Sequence, residues 1–162
     1  MSGASTEGWQ LVFDDPEIAI ASWGDLLVML FRVEVSLHSL ELVERAEADL
    51  LRSHASIRSL TVFPNIPARP TDAEVRARSQ QLADRFGPRV EGAAVVIEAT
   101  GFTAAMIRSL VLGIRMISPL RGLRISLFDD VGAALDWLHS KGGATDVSQI
   151  REALRTHLDA LR

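Results

Sequence analysis

The chain has 162 residues, enough for one domain with an interior that folds without covalent staples. It contains no cysteine, which excludes disulfides, thiolate catalysis and sulfur-ligated zinc, and suits a reducing compartment. Seventeen basic side chains stand against 21 acidic ones, a net charge of −4, and the arginines are scattered among acids, so the concentrated basic face that binds phosphates is missing and nucleic acid is not an expected partner.

The first ten residues are polar and read as a flexible N-terminus. Trp9 to Phe13 is a candidate edge strand. Glu17 to Ser22 and Leu26 to Arg32, flanking Trp23-Gly24-Asp25, read as a β-hairpin. Ser36 is a candidate N-cap for a helix reaching about His54, with Leu40, Val43, Leu50 and Leu51 on its apolar face and Glu41–Arg45 as an i,i+4 pair. Ile57 to Phe63 is β-rich, and the loop 65–70 leads to Thr71-Asp72-Ala73-Glu74, which has capping-box form with Thr71 as the cap. The helix that follows runs to Phe86 and turns Val75, Leu82 and Phe86 inward.

Gly92 to Ile97 is uninterrupted apolar sequence, the signature of a strand buried on both faces. Thr100-Gly101 opens the most hydrophobic helix, which ends at Pro119. Leu123 to Phe128 is a further strand, Asp129 or Asp130 caps the next helix, and Gly142-Gly143 stops it. A last helix, Val147 to Leu161, carries Val147, Ile150, Leu154, Leu158 and Leu161 on one stripe. Strands alternating with helices predict right-handed crossovers in an α/β domain, and the hairpin makes its β-sheet mixed. The division expected is 1–10 as a flexible arm, 11–141 as the α/β domain, and 142–162 as a Gly-Gly joint with an additional C-terminal amphipathic helix.

In the second half, the strand EGAAVVIEA, the helix GFTAAMIRSLVLGIRMISP and the segment LRISLFDDVGAALDWL follow one another in order. This succession resembles the SpoIIAA-like or STAS-like domains, a group that includes bacterial anti-sigma-factor antagonists. The resemblance spans roughly Phe13 to Ser140 and implies a SpoIIAA/STAS-like fold acting by binding proteins or small ligands. It also implies a phosphorylatable hydroxyl at the helix after the third core strand. Thr71 stands near that place, but the Asp-Ser-Ser-Gly-like motif is absent, since the segment reads Ala68-Arg69-Pro70-Thr71-Asp72-Ala73.

Catalytic motifs are missing: the chain has no HExxH, GxSxG, P-loop or GxGxxG pattern. His38 and His54 lie at opposite ends of one predicted helix, about 24 Å apart at ~1.5 Å per residue, so no metal site and no cofactor is expected. The opening MSGASTEGWQ lacks the n-region and apolar core of a signal peptide, and the most apolar window, Phe102 to Leu120, is broken by Arg108 and Arg115. A cytoplasmic protein of a GC-rich bacterium is the expectation.

Candidate sites therefore come from topology and exposed surface. The carboxyl ends of the strands bring Asn65, Arg69, Thr71, Glu98 and Thr100 to one rim, where open α/β sheets bind ligands. Asp129 and Asp130 reach the same rim, but Glu98, which directly follows a buried strand, is the acid expected to serve as a general acid or base if the chain is an enzyme. On the Phe102–Ser118 helix, Phe102, Met106, Leu110, Gly113, Ile114 and Ile117 share the face expected to lie on the sheet. Ala104, Arg108, Val111, Leu112 and Arg115 share the opposite face, and Arg108, Val111, Leu112 and Arg115 form a candidate partner contact. The expected function is a non-enzymatic protein-interaction or regulatory module, with a homodimer as one arrangement. The alternative is a small-ligand or lipid-binding domain with an apolar pocket under the Phe102–Ser118 helix.

Overall fold

The computed structural model describes residues 8–65, 71–117 (backbone alone for 114–117) and 124–162. Six strands form one sheet in the order β1 (Trp9–Asp14), β2 (Ile18–Trp23), β3 (Leu26–Phe31), β4 (Ile57–Phe63), β5 (Val90–Ile97) and β6 (Ile125–Phe128). The first three are antiparallel and the pairs from β3 to β6 are parallel, so the expected mixed α/β sheet is present. Gly24 takes φ +57° between β2 and β3, as the first central residue of a tight hairpin turn requires. β1 is the edge strand, bulged between Leu11 and Phe13.

Sequential strand order dictates the layering. Each right-handed crossover from β3 to β6 steps in the same direction, which places α1 (Leu37–Ser53), α2 (Ala73–Phe86) and α3 (Gly101–Ile117) on one face. Leu42, Val43 and Ala46 of α1 and Ala104, Ile107 and Val111 of α3 pack there against Leu27, Met29, Phe63 and Val95. Val75, Leu82 and Phe86 of α2 join Leu40 and Leu51 of α1 over Ile57 and Val90. The opposite face, with Val28, Leu60, Val62, Ala94 and Val96, is covered by α4 (Val131–Ser140) and α5 (Val147–Leu161).

α5 thus buries its aliphatic stripe on its own chain, with Val147, Leu154 and Leu158 inaccessible and Ile150 and Leu161 packed beside them. Its connection to α4 closes on a buried ion pair. Arg58, 1% exposed, donates to both carboxylate oxygens of Asp25 at 3.0 and 3.1 Å, and to the carbonyls of Leu138 and Thr145. Thr145 returns its own N–H to Asp25 at 2.8 Å. Burial pushes the Asp25 pKa up, but the hydrogen bonds from Arg58 and Thr145 outweigh it and hold the carboxyl below its usual range. Gly143, at φ +106°, passes so close that a Cβ there would meet Arg58 Nε and Asp25 Oδ2 at 2.5 Å.

Three local readings are corrected. Asp72, not Thr71, caps α2, its carboxylate accepting from the N–H of Val75 at 2.9 Å; an ionised acceptor at that position outcompetes the hydroxyl one residue earlier. The Glu41–Arg45 pair is replaced by Arg45 lying over the Phe13 ring, 5.0 Å from its centroid. α3 is rotated from the expected face: Phe102 is 74% exposed, whereas Ala104, Ile107 and Val111 lie in the core. The helix is apolar around most of its circumference, so spacing alone could not choose a side, and the small Ala104 lets it approach the sheet. Among the described residues no helix is long and apolar enough to cross a membrane.

Candidate functional site

The rim and the helix face singled out in the sequence do not form one site. Glu98 lies at the end of β5, its N–H bonded to the Phe63 carbonyl at 2.9 Å, and its carboxylate is taken by Arg162 through two bonds of 2.5 and 2.6 Å. Asn65, Thr71 and Thr100 stand at the surface with no ion pair or side-chain hydrogen bond joining them to Glu98, and Arg69 lies outside the described residues. On α3, Arg108 pairs with Asp129 at 3.2 Å and Leu112 is 44% exposed, but Val111 is only 7% exposed and belongs to the core. Val111 is thereby removed from the candidate partner contact, and the side chain of Arg115 lies outside the described residues.

A different feature emerges on the α1–α3 face. Between the sheet and these helices lies a partly open cavity of about 180 Å³. Met29, Phe31, Phe63 and Val95 form its floor, Leu40 and Val43 one wall, Leu82 and Phe86 a second, and Leu110 and Val111 a third. Four polar side chains interrupt this apolar lining: Glu47, Ser59, Thr61 and Ser79.

Each of the four occupies a position that periodicity assigns to the interior. On α1, Glu47 follows Leu40 by seven residues and Val43 by four, on the stripe that continues to Leu50 and Leu51. On α2, Ser79 sits between Val75 and Leu82 in the run that ends at Phe86. Along β4, alternation sends Ile57, Ser59, Thr61 and Phe63 to the cavity face, while Arg58, Leu60 and Val62 face α4 and α5. Three elements thus present polar groups from their apolar faces, and all of them open into one space.

Among the described residues none of these four side chains makes an intramolecular hydrogen bond or ion pair. Among the described residues every fully inaccessible side-chain N or O atom has a partner, so the four polar tips border the cavity rather than solid protein. Burial pushes the Glu47 carboxyl up to about 8, with the negative charge of Glu44 adding to the rise. Glu44, one turn earlier, is itself held by Arg78 and Arg85 of α2. Around neutral pH Glu47 is therefore a largely neutral acid, able both to donate and to accept.

Three of the four histidines make contacts away from the cavity. His38 pairs with Asp15 at 3.0 Å, His139 with Asp146 at 3.5 Å, and His157 stacks on Trp9. Among the described residues no three His, Asp or Glu side chains are arranged to hold a metal ion.

Sequence reasoning missed Glu47, Ser59, Thr61 and Ser79. The signal was present as polar residues at core-face positions of three consecutive elements, a pattern that counts against packing unless it serves function. Comparison with protein-family models, curated proteins and solved structures finds no match to this chain.

Proposed function

We propose that this chain is a small-ligand-binding module whose site is the cavity between the sheet and α1–α3. The observation that carries the reading is the convergence of Glu47, Ser59, Thr61 and Ser79, unpartnered among the described residues, on a space otherwise lined by aliphatic and aromatic side chains. The four tips face a space that water can enter, and a ligand with matching polar atoms replaces that water while filling the apolar remainder. An apolar pocket with a few convergent polar groups is the usual form of a small-molecule site.

The size of the cavity limits what enters. Cavities of about 150 Å³ admit benzene, so about 180 Å³ suits one ring with a short substituent rather than a long acyl chain or a nucleotide. Benzyl alcohol is a fitting probe. Saturable shifts of the amide resonances of Val43, Ser79, Val95 and Val111 are the expected result, and Ser79→Leu, which fills the space, abolishes them. Unchanged spectra at saturating probe would refute the reading and leave a cavity that holds water alone.

A second reading, a protein-interaction or regulatory module of the STAS-like kind, rests on Phe102 and Leu112, two large apolar side chains exposed on α3. A self-associating chain that becomes monomeric on Leu112→Glu, measured by light scattering after size exclusion, supports that reading. A wild-type monomer unaffected by the change removes its homodimeric form.

A further inference from the structure

The polar groups of the cavity are unequal in charge. Its lining holds one carboxyl and three hydroxyls but, among the described residues, no lysine, arginine or histidine. Arg78 and Arg85, the α2 arginines that reach α1, are both engaged by Glu44. Resting on the ligand-site reading above, we infer that the ligand is a small amine: a cationic ammonium carried on an apolar body about the size of one aromatic ring.

Three comparisons lead to this class. A carboxylate or phosphate ligand would bring its charge into a space whose described lining holds no cation to match it, so that charge would resist burial. A purely apolar ligand would fill the volume while leaving the carboxyl and the hydroxyls without partners. An ammonium carries only donors, and what the cavity offers it are acceptors: the Glu47 carboxylate and the hydroxyl oxygens of Ser59, Thr61 and Ser79. Binding ionises Glu47 against the bound cation, and the hydroxyls saturate the remaining N–H groups. That is the condition under which a buried ion pair is favourable, with both charges matched and every donor used.

A series on one ring tests the charge: benzylamine and benzyl alcohol share a shape, and benzoate carries the opposite charge at nearly the same size. The full chain is titrated by calorimetry at pH 7 with benzylamine, benzyl alcohol and benzoate. Benzylamine is expected to bind at least about tenfold more tightly than benzyl alcohol, and benzoate not measurably, in line with the added strength of charge-assisted hydrogen bonds. Glu47→Gln, which keeps size and hydrogen bonding but removes the charge, is expected to bring benzylamine down to the level of the alcohol and to leave the alcohol within about twofold. Thr61→Val and Ser79→Ala remove single acceptors and are expected to weaken the amine more than the alcohol, a second readout if Glu47→Gln perturbs folding. Alcohol binding as tight as amine binding, tightest binding by benzoate, or an amine preference that survives Glu47→Gln overturns the amine inference and leaves the ligand site standing. Failure of all three probes overturns the site along with it.

Discussion

Glu47 is readable as an anomaly from the helix alone, because the stripe Leu40, Val43, Leu50 and Leu51 passes through its position. What spacing could not supply is the space beside it, which depends on how α2 and α3 lean over the sheet. The elevated pKa has a measurable consequence. Between about 4.5 and 8 the native chain keeps a proton on Glu47 that the unfolded chain has released, so this residue makes stability fall as pH rises through that window. The loss is on the order of a few kcal/mol. Glu47→Gln is expected to gain stability relative to wild type steadily from pH 5 to pH 8 in urea titrations; parallel curves for the two proteins contradict the assignment. Arg58 is the converse case of a buried charge that is fully partnered. Arg58→Met leaves Asp25 buried and unpaired, at an expected cost of about 3–5 kcal/mol in the same measurement, whereas a change under about 1 kcal/mol shows the pair to be dispensable.

Among the elements, the most legible were those with a single apolar face or none exposed. β2 and β3 are wholly buried, β5 nearly so, and α5 carries a clean stripe, and all four stand where continuous apolar runs and helical periodicity placed them. α3 was misread for the opposite reason. With apolar side chains on nearly every side, its orientation was decided by close packing of Ala104, Ile107 and Val111, which is tertiary information. The start of α2 shows the limit of motif matching, since Thr71-Asp72-Ala73-Glu74 offers two adjacent capping side chains and the ionised one prevails. Asp72→Ala is expected to lower stability by about 1 kcal/mol and Thr71→Ala by much less. The reverse ranking, read from thermal unfolding of the two variants, places the cap back on Thr71.

For the whole molecule, strand order determines where a ligand can sit. Because β3 to β6 advance in one direction, the three crossover helices share a face, and α4 and α5 are left to seal the other. The alternation of strands and helices made this class of fold legible, but not the cavity, which is a gap between three helices rather than a property of any one. The same sequential order has a kinetic consequence. Every strand pairs with its neighbour in the chain, so the antiparallel strands pair through short turns while each parallel pair from β3 to β6 needs its crossover helix closed first. Hydrogen bonds that join distant parts of the sequence include Asp25 N–H to the Thr145 hydroxyl across 120 residues, and the Arg32 guanidinium to the Leu161 carbonyl across 129. Closing such long loops is entropically costly, so the Asp25–Thr145 clasp is expected to form after the rate-limiting step. Thr145→Val, which removes the hydroxyl bonded to Trp23 and Asp25, should therefore speed unfolding in stopped-flow measurements while leaving the folding arm nearly unchanged. A slowed folding arm would place the clasp in the nucleus instead. A bond that locks only once the rest is built acts as a latch, governing how long the native state persists more than how quickly it is reached.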